Sequence, residues 1–138
     1  MVPQIVGYLR DAGWTVYDTY VPDTMTAGGE VIDGADYPYV LIEAAANSQR
    51  IYRVLAGGRA GQRLRLTVTV AGKSPASVRG LAPVIRRLLE AYPVAGGGEV
   101  RYLDGQLLPV TLDSDHNRRV FYTVDFYELL IPNFKENN

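Results

Sequence analysis

The run Gln62-Arg63-Leu64-Arg65-Leu66-Thr67-Val68-Thr69-Val70, followed by Ser74-Pro75 and an apolar stripe reaching Tyr92, decides the class of fold. In an extended chain Leu64, Leu66, Val68 and Val70 point one way and Arg63, Arg65, Thr67 and Thr69 the other, because strand side chains alternate with a period of two. One face is core; the other is wet or shared. Ser74 supplies a side-chain acceptor for the free amides of a helix start, and Pro75 suits the first helical position, where no backbone donor is needed. Beyond them Val78, Leu81, Ala82, Ile85, Leu88, Leu89 and Tyr92 recur at helical spacing and leave Arg79, Arg86, Arg87 and Glu90 mostly outside the stripe. Such a helix covers the apolar face of a sheet. Pro83 removes a donor within it, which predicts a kink or a true start near Gly80. Pro93 and Gly96 to Gly98 predict the stop.

Working outward toward the N-terminus, Val2, Ile5, Val6 and Leu9 follow the spacing of a short amphipathic helix, with Gly13 placed to cap it. Trp14, Val16 and Tyr17 enter a short strand. Asp18 to Asp36 then holds Pro22, Gly28, Gly29 and Gly34 without periodicity and reads as a loop longer than compact domains ordinarily use. Tyr37 to Ala46 reads as a strand with Val40, Ile42 and Ala44 on one face and Tyr39, Leu41 and Glu43 on the other. Gln49 to Ala56 forms a hairpin with the Gln62 to Val70 run through Gly57, Gly58, Arg59, Ala60 and Gly61.

Toward the C-terminus, Glu99 to Leu103 and Gln106 to Asp113 flank Asp104-Gly105, a dipeptide typical of tight hairpins. Ser114 to Asn117 is a polar connection. Arg118 to Ile131 is the longest strand, with Val120, Tyr122, Val124, Phe126 and Leu130 on one face and Phe121, Thr123, Tyr127, Leu129 and Ile131 on the other. Aromatic residues on both faces predict a strand that is central or buried at a subunit contact. The expected fold is α+β: a mixed, mainly antiparallel β-sheet covered by one main helix and a short N-terminal helix, with a long loop after the first strand. Residues 1–132 form a single domain and 133–138 a polar C-terminal tail. No internal repeat is present.

Hydrophobic residues make up 47% of the 138-residue chain and charged residues 21%, close to ordinary soluble usage, so one domain with its own core is expected and neither disorder nor a membrane class is favoured. No apolar run is long enough to span a bilayer, and the first ten residues lack the pattern of a secretory signal, so the chain is expected to begin in the cytoplasm. Cysteine is absent, which removes disulfides, thiolate nucleophiles and Cys-type zinc sites together.

Net charge is −1 but unevenly placed. Residues 1 to 48 hold one Arg against seven acids, residues 49 to 101 ten Arg and Lys against two acids, and residues 102 to 138 three against six. The long loop carries Asp18, Asp23, Glu30, Asp33 and Asp36 with no Lys or Arg, whereas Arg50, Arg53, Arg63 and Arg65 stand on neighbouring strands. Opposite-sign surfaces on one domain suit head-to-tail contacts between copies, since complementary potentials fix register. The plainer reading is that these Arg side chains only solubilise a strand face.

Little in the chain suggests catalysis. His116, the sole histidine, stands beside Asp113 and Asp115 in a polar connection, and Ser114 is its neighbour rather than part of a nucleophile motif. Two acids and a histidine are weak cation donors, and the repeating ligands of a calcium loop are missing. The clusters Gly57-Gly58-Arg59-Ala60-Gly61 and Gly96-Gly97-Gly98 do not precede a helix with Gly-Lys-Ser/Thr, so they read as connectors. Arg50, Arg53, Arg59, Arg63 and Arg65 with Tyr52 are compatible with binding single-stranded nucleic acid, which needs more exposed aromatics at stacking intervals than are present. No catalytic residue, cofactor site or metal site is expected.

The order of elements resembles the tail terminator family of long-tailed bacteriophages. The likeness is carried by Ala12-Gly13-Trp14-Thr15-Val16-Tyr17-Asp18 with Val21-Pro22-Asp23, by Tyr37-Pro38-Tyr39-Val40-Leu41-Ile42, by Ser74-Pro75-Ala76-Ser77-Val78-Arg79 leading into Ile85-Arg86-Arg87-Leu88-Leu89, and by Arg118-Arg119-Val120-Phe121-Tyr122-Thr123-Val124-Asp125-Phe126. It covers nearly the whole chain as a pattern and includes no sharp signature. The resemblance implies a homohexameric ring in the virion, at the head-proximal end of the tail and assembled in the host cytoplasm. That ring binds the end of the tail tube, stops tube polymerisation and offers its other face to neck or head-completion proteins. It further implies no catalysis, no cofactor, no membrane contact and only transient, unspecific passage of DNA. Subunit-interface candidates are Arg50, Arg53, Arg63, Arg65, Phe121 and Tyr127, with the acidic loop either meeting a neighbour's arginines or lining the channel. The alternatives are another head-to-tail joining or neck protein, or a small nucleic-acid-binding module.

Overall fold

The computed structural model describes residues 2–21, 23–25, 31–33, 36–44, 50–53, 60–94, 97–103, 109–113 and 120–134. Helix α1, Val2–Asp11, buries Ile5, Val6 and Leu9. It ends as the sequence predicts: Gly13 at φ 101° lets its own amide reach the Arg10 carbonyl at 2.9 Å and the Trp14 amide reach the Leu9 carbonyl at 3.3 Å. A left-handed residue there turns the chain back over the last helical turn, and glycine adopts it without a Cβ penalty.

Strand β1, Thr15–Asp18, runs parallel to β4, Tyr39–Ala44. Between them β2, Asp23–Met25, and β3, Val31–Asp33, form a separate antiparallel ribbon. The Asp18 to Asp36 connection is thus partly ordered as strand, a correction to its reading as irregular loop throughout. Three residues per strand are too few for alternation to stand out in sequence.

Strand β5, Arg50–Arg53, and β6, Ala60–Gly72, form the expected antiparallel hairpin. β4 pairs with the second half of β6 and β5 with the first half of the same edge. Helix α2, Pro75–Glu90, follows directly. The Ser74 Oγ accepts the Ser77 amide at 3.1 Å, and Pro75 opens the helix. Gly72 lets the strand pass close under the helix start: a Cβ there would stand 2.8 Å from Ser77 Oγ and 3.1 Å from Ser77 Cβ, so that Ser77 would have to shift. The helix runs through Pro83, whose side is exposed, so the alternative start near Gly80 does not hold.

The C-terminal half departs from expectation. Strand β7, Glu99–Tyr102, and β8, Thr111–Asp113, do not pair with each other across Asp104-Gly105. Both pair antiparallel with β9, Val120–Phe134, β7 along Tyr127 to Leu130 and β8 along Val120 to Tyr122. A 15-residue strand offers a ladder long enough for two short partners in line, and its tertiary pairing overrides the local turn signal. β9 also continues past Ile131 to Phe134. Its register against β6 shifts between Gln62 and Ala60, opposite residues 131 to 134, and a bulge is where a strand tolerates a proline such as Pro132.

The main sheet has seven strands in the order β1-β4-β6-β9-β7, with β5 beside β6 and β8 beside β9. The α+β expectation of a mainly antiparallel sheet covered by a main and a short helix is met. α1 lies over β1 and β4, and α2 over β6, β7 and β9. Beneath them Val40, Ile42, Leu66, Val68, Val70, Tyr127 and Leu129 join Val78, Leu81, Ile85 and Leu89 in one core. Tyr8 and Tyr92 meet edge to face, 5.0 Å between ring centroids, and tie the two helices together. No helix among the described residues is long and apolar enough to cross a membrane.

One edge of the sheet is guarded. The Thr19 amide donates to the Ile42 carbonyl at 2.9 Å, and alternation along a parallel ladder turns the Val16 carbonyl outward. The Arg10 guanidinium covers it, donating from Nε at 3.1 Å and from Nη2 at 2.7 Å.

Candidate interaction site

Both helices lie on one face of the sheet, and no described element covers the other. Register assigns that open face. Arg63 stands opposite Leu130, Arg65 opposite Glu128, Thr67 opposite Phe126 and Thr69 opposite Val124. Leu41 and Glu43 extend the face on β4, and Glu99 and Arg101 on β7. Leu41, Tyr122, Val124, Phe126 and Leu130 are each half-buried, and none of them belongs to the core or packs against it. Tyr122, Val124 and Phe126 form a short apolar run along β9, with Leu41 set apart from it by Thr69 and Leu130 by Glu128. Arg63 Nε meets Glu128 Oε1 at 3.2 Å, and Arg101 Nη2 meets Glu99 Oε1 at 3.0 Å.

The structure brings some expected residues together and separates others. Arg50 pairs in register with Arg63, and Arg53 with Ala60. Arg63 is engaged by Glu128 of its own chain, and Arg65 is not free either. Of the acidic group, Asp18 ends β1, Asp23 and Asp33 face each other across the ribbon, and Asp36 is exposed while its amide donates to the Tyr17 hydroxyl at 3.1 Å. Glu30 lies outside the described residues, as do Arg59, Ser114, Asp115 and His116; Asp113 closes β8.

Tyr127 is a correction. It is 0% exposed and sits in the core of its own subunit, 5.3 Å from the Tyr102 ring, so it offers no surface to a neighbour. Phe121 lies on the same, covered face and is half-buried against the core. An apolar pattern on both faces of a strand does not say which face the helices take.

A site that sequence reasoning passed over lies on the covered side, near the β7 edge. Here α2 stands off the sheet and leaves a cleft of about 230 Å³, lined by Val78, Arg79, Ala82 and Arg86 from the helix and by Tyr102, Thr123 and Asp125 from the strands. The Arg86 guanidinium stacks over the Tyr102 ring, 4.7 Å from its centroid, and its Nε lies 3.8 Å from Glu90 Oε1. Burial pushes the Asp125 carboxyl above its ordinary value, while Arg86 and a hydrogen bond from Tyr102 hold it back. The adjacent Tyr127 hydroxyl has no hydrogen-bond partner among the described residues, and burial pushes its titration far above that of a free tyrosine. The available signal was parity, since Asp125 falls on the same face of its strand as Tyr127 and Leu129. No cluster of metal-ligating side chains stands among the described residues.

No family model matches the chain, and no curated protein is similar to it across its sequence.

Proposed function

We propose that the chain is a structural ring subunit. Six copies join head to tail into a ring that caps the tail tube of a long-tailed bacteriophage, ends tube polymerisation and joins the tail to the neck. Its partners on this reading are further copies of itself, the tube protein and a neck or head-completion protein, with DNA passing through without specific contact. Its place is the head-proximal end of the virion tail.

The observation that supports this reading most is the open sheet face. An apolar run of Tyr122, Val124 and Phe126, with Glu128, Arg63, Arg65, Glu99 and Arg101 beyond it on the same face, is left uncovered by every described element. Apolar side chains left partly exposed beside charged ones suit a contact between proteins. The uneven charge along the chain and the resemblance of its element order point the same way. The Arg63–Glu128 pair weighs against the nucleic-acid alternative, because an arginine already facing a carboxylate is a poor phosphate ligand.

Native mass measurement tests the proposal, on the purified chain and on the chain mixed with polymerised tube protein from the same phage. The expected species has six times the 15.2 kDa chain mass, free or at the tube tip. Monomers in both arms, with tubes that lengthen unchecked, sink the proposal.

A further inference from the structure

We infer that the cleft beside α2 receives the β2–β3 ribbon of a second copy of this chain; the inference rests on the ring reading and names a contact of that ring additional to the open sheet face. The cleft has an apolar floor, Val78 and Ala82, with Arg79 exposed at its rim. Arg79 meets no acid among the described residues, unlike Arg63, Arg86 and Arg101. Arg86, exposed like Arg79, already has Glu90 at 3.8 Å and acts on Asp125. An incoming carboxylate is therefore held at Arg79 and repelled by Asp125 from going further. The cleft fits an apolar segment carrying an acid at its edge.

The ribbon is such a segment. Thr24 pairs with Ile32 and Met25 with Val31, while Asp23 stands opposite Asp33. Residues 18 to 36 carry five acids and no Lys or Arg. Two strands of three residues that join no other strand among the described residues make a poor unit on their own. A cation and an apolar floor supplied from outside match the acidic composition of this segment and complete a unit too small on its own.

Position agrees with charge. The ribbon springs from β1, at one end of the strand order, and the cleft adjoins β7 and β9 at the other. Two different, complementary patches at opposite ends of one subunit make a head-to-tail contact, the kind that closes rings.

The test exploits the absence of cysteine from the chain. Full-length Asp33→Cys and Arg79→Cys chains are mixed at millimolar concentration and oxidised with copper phenanthroline, and the bridges are mapped by mass spectrometry. The expected product is a dimer bridged from position 33 to position 79, and a chain carrying both substitutions gives a ladder that ends at the ring size. In parallel, Arg79→Glu weakens association about tenfold or more, the scale of a lost charge contact, and combining it with Asp33→Arg restores most of the loss. A ring of unchanged mass with no 33-to-79 bridge and no response to Arg79→Glu overturns this contact and leaves the ring reading standing. A chain that stays monomeric and unbridged overturns this contact too, and the mixture with tube protein then decides the ring reading separately.

Discussion

Strand β9 carries large apolar side chains on both faces, and the fold treats the two faces differently. Tyr127 and Leu129 are 0% exposed beneath α2, whereas Tyr122, Val124, Phe126 and Leu130, on alternate positions of the same strand, stay half-buried with no described element over them. The first set holds the subunit together, since full burial of such a side chain stabilises by about 1.5 to 3 kcal/mol. The second set contributes less to the lone chain. Its apolar surface is left uncovered by the described elements, and on the proposed ring reading the difference separates residues that set stability from residues that set association.

The largest expected effect breaks that comparison if it fails. Leu129→Ala opens a cavity in the core and costs about 2 to 5 kcal/mol, while Phe126→Ala costs the isolated chain clearly less and weakens oligomerisation instead. Urea unfolding of both variants, read beside their native masses, checks this; equal losses of stability would mean that the open face is covered after all.

A smaller effect, of opposite sign, tests how completely the core side is sealed. The Tyr127 hydroxyl is buried without a partner among the described residues, and such a group costs on the order of 1 kcal/mol or more. Tyr127→Phe is expected to leave stability unchanged or raise it by about 1 kcal/mol, measured by the same unfolding curves. A clear loss would reveal a hydrogen bond to that oxygen.

Asp125 adds a pH dependence to the covered side only. Its folded carboxyl holds a proton to higher pH than a free Asp at 3.8, so between the two values the native state binds more protons than the unfolded one. Its contribution to stability is therefore full below the ordinary value and is lost as pH rises through the raised one. Asp125→Asn should match the wild type near about pH 3 and exceed it in melting temperature near about pH 7. A constant gap across that range would argue that burial does not govern this carboxyl. The smallest effect belongs to the open face: Arg63→Ala, which removes a partly exposed ion pair, should cost under about 1 kcal/mol in the isolated chain by calorimetry.

Much of this arrangement was legible in the sequence where elements are long enough to show a period. The alternation of Leu64 to Val70, the stripe from Val78 to Leu89 and the Gly13 stop are all local signals, and the structure keeps them. What failed depended on partners remote in sequence. Asp104-Gly105 suggested a hairpin, but β9 offered both flanking strands a longer ladder. The ribbon within residues 18 to 36 was too short to be periodic. Asp125 was missed because the strand was read through its apolar members, and its environment is made by Arg86 and Tyr102 from other elements.

The Arg10 guanidinium over the Val16 carbonyl has a consequence for any assembly that concentrates copies of this chain. A bare sheet margin is sticky toward every other bare margin, so crowded subunits would zip into disordered aggregates. Filling one outward acceptor with a cationic side chain from α1 makes that margin less receptive to a further strand. Growth is then steered away from backbone pairing there and toward side-chain contacts, which can be specific about which copy goes where.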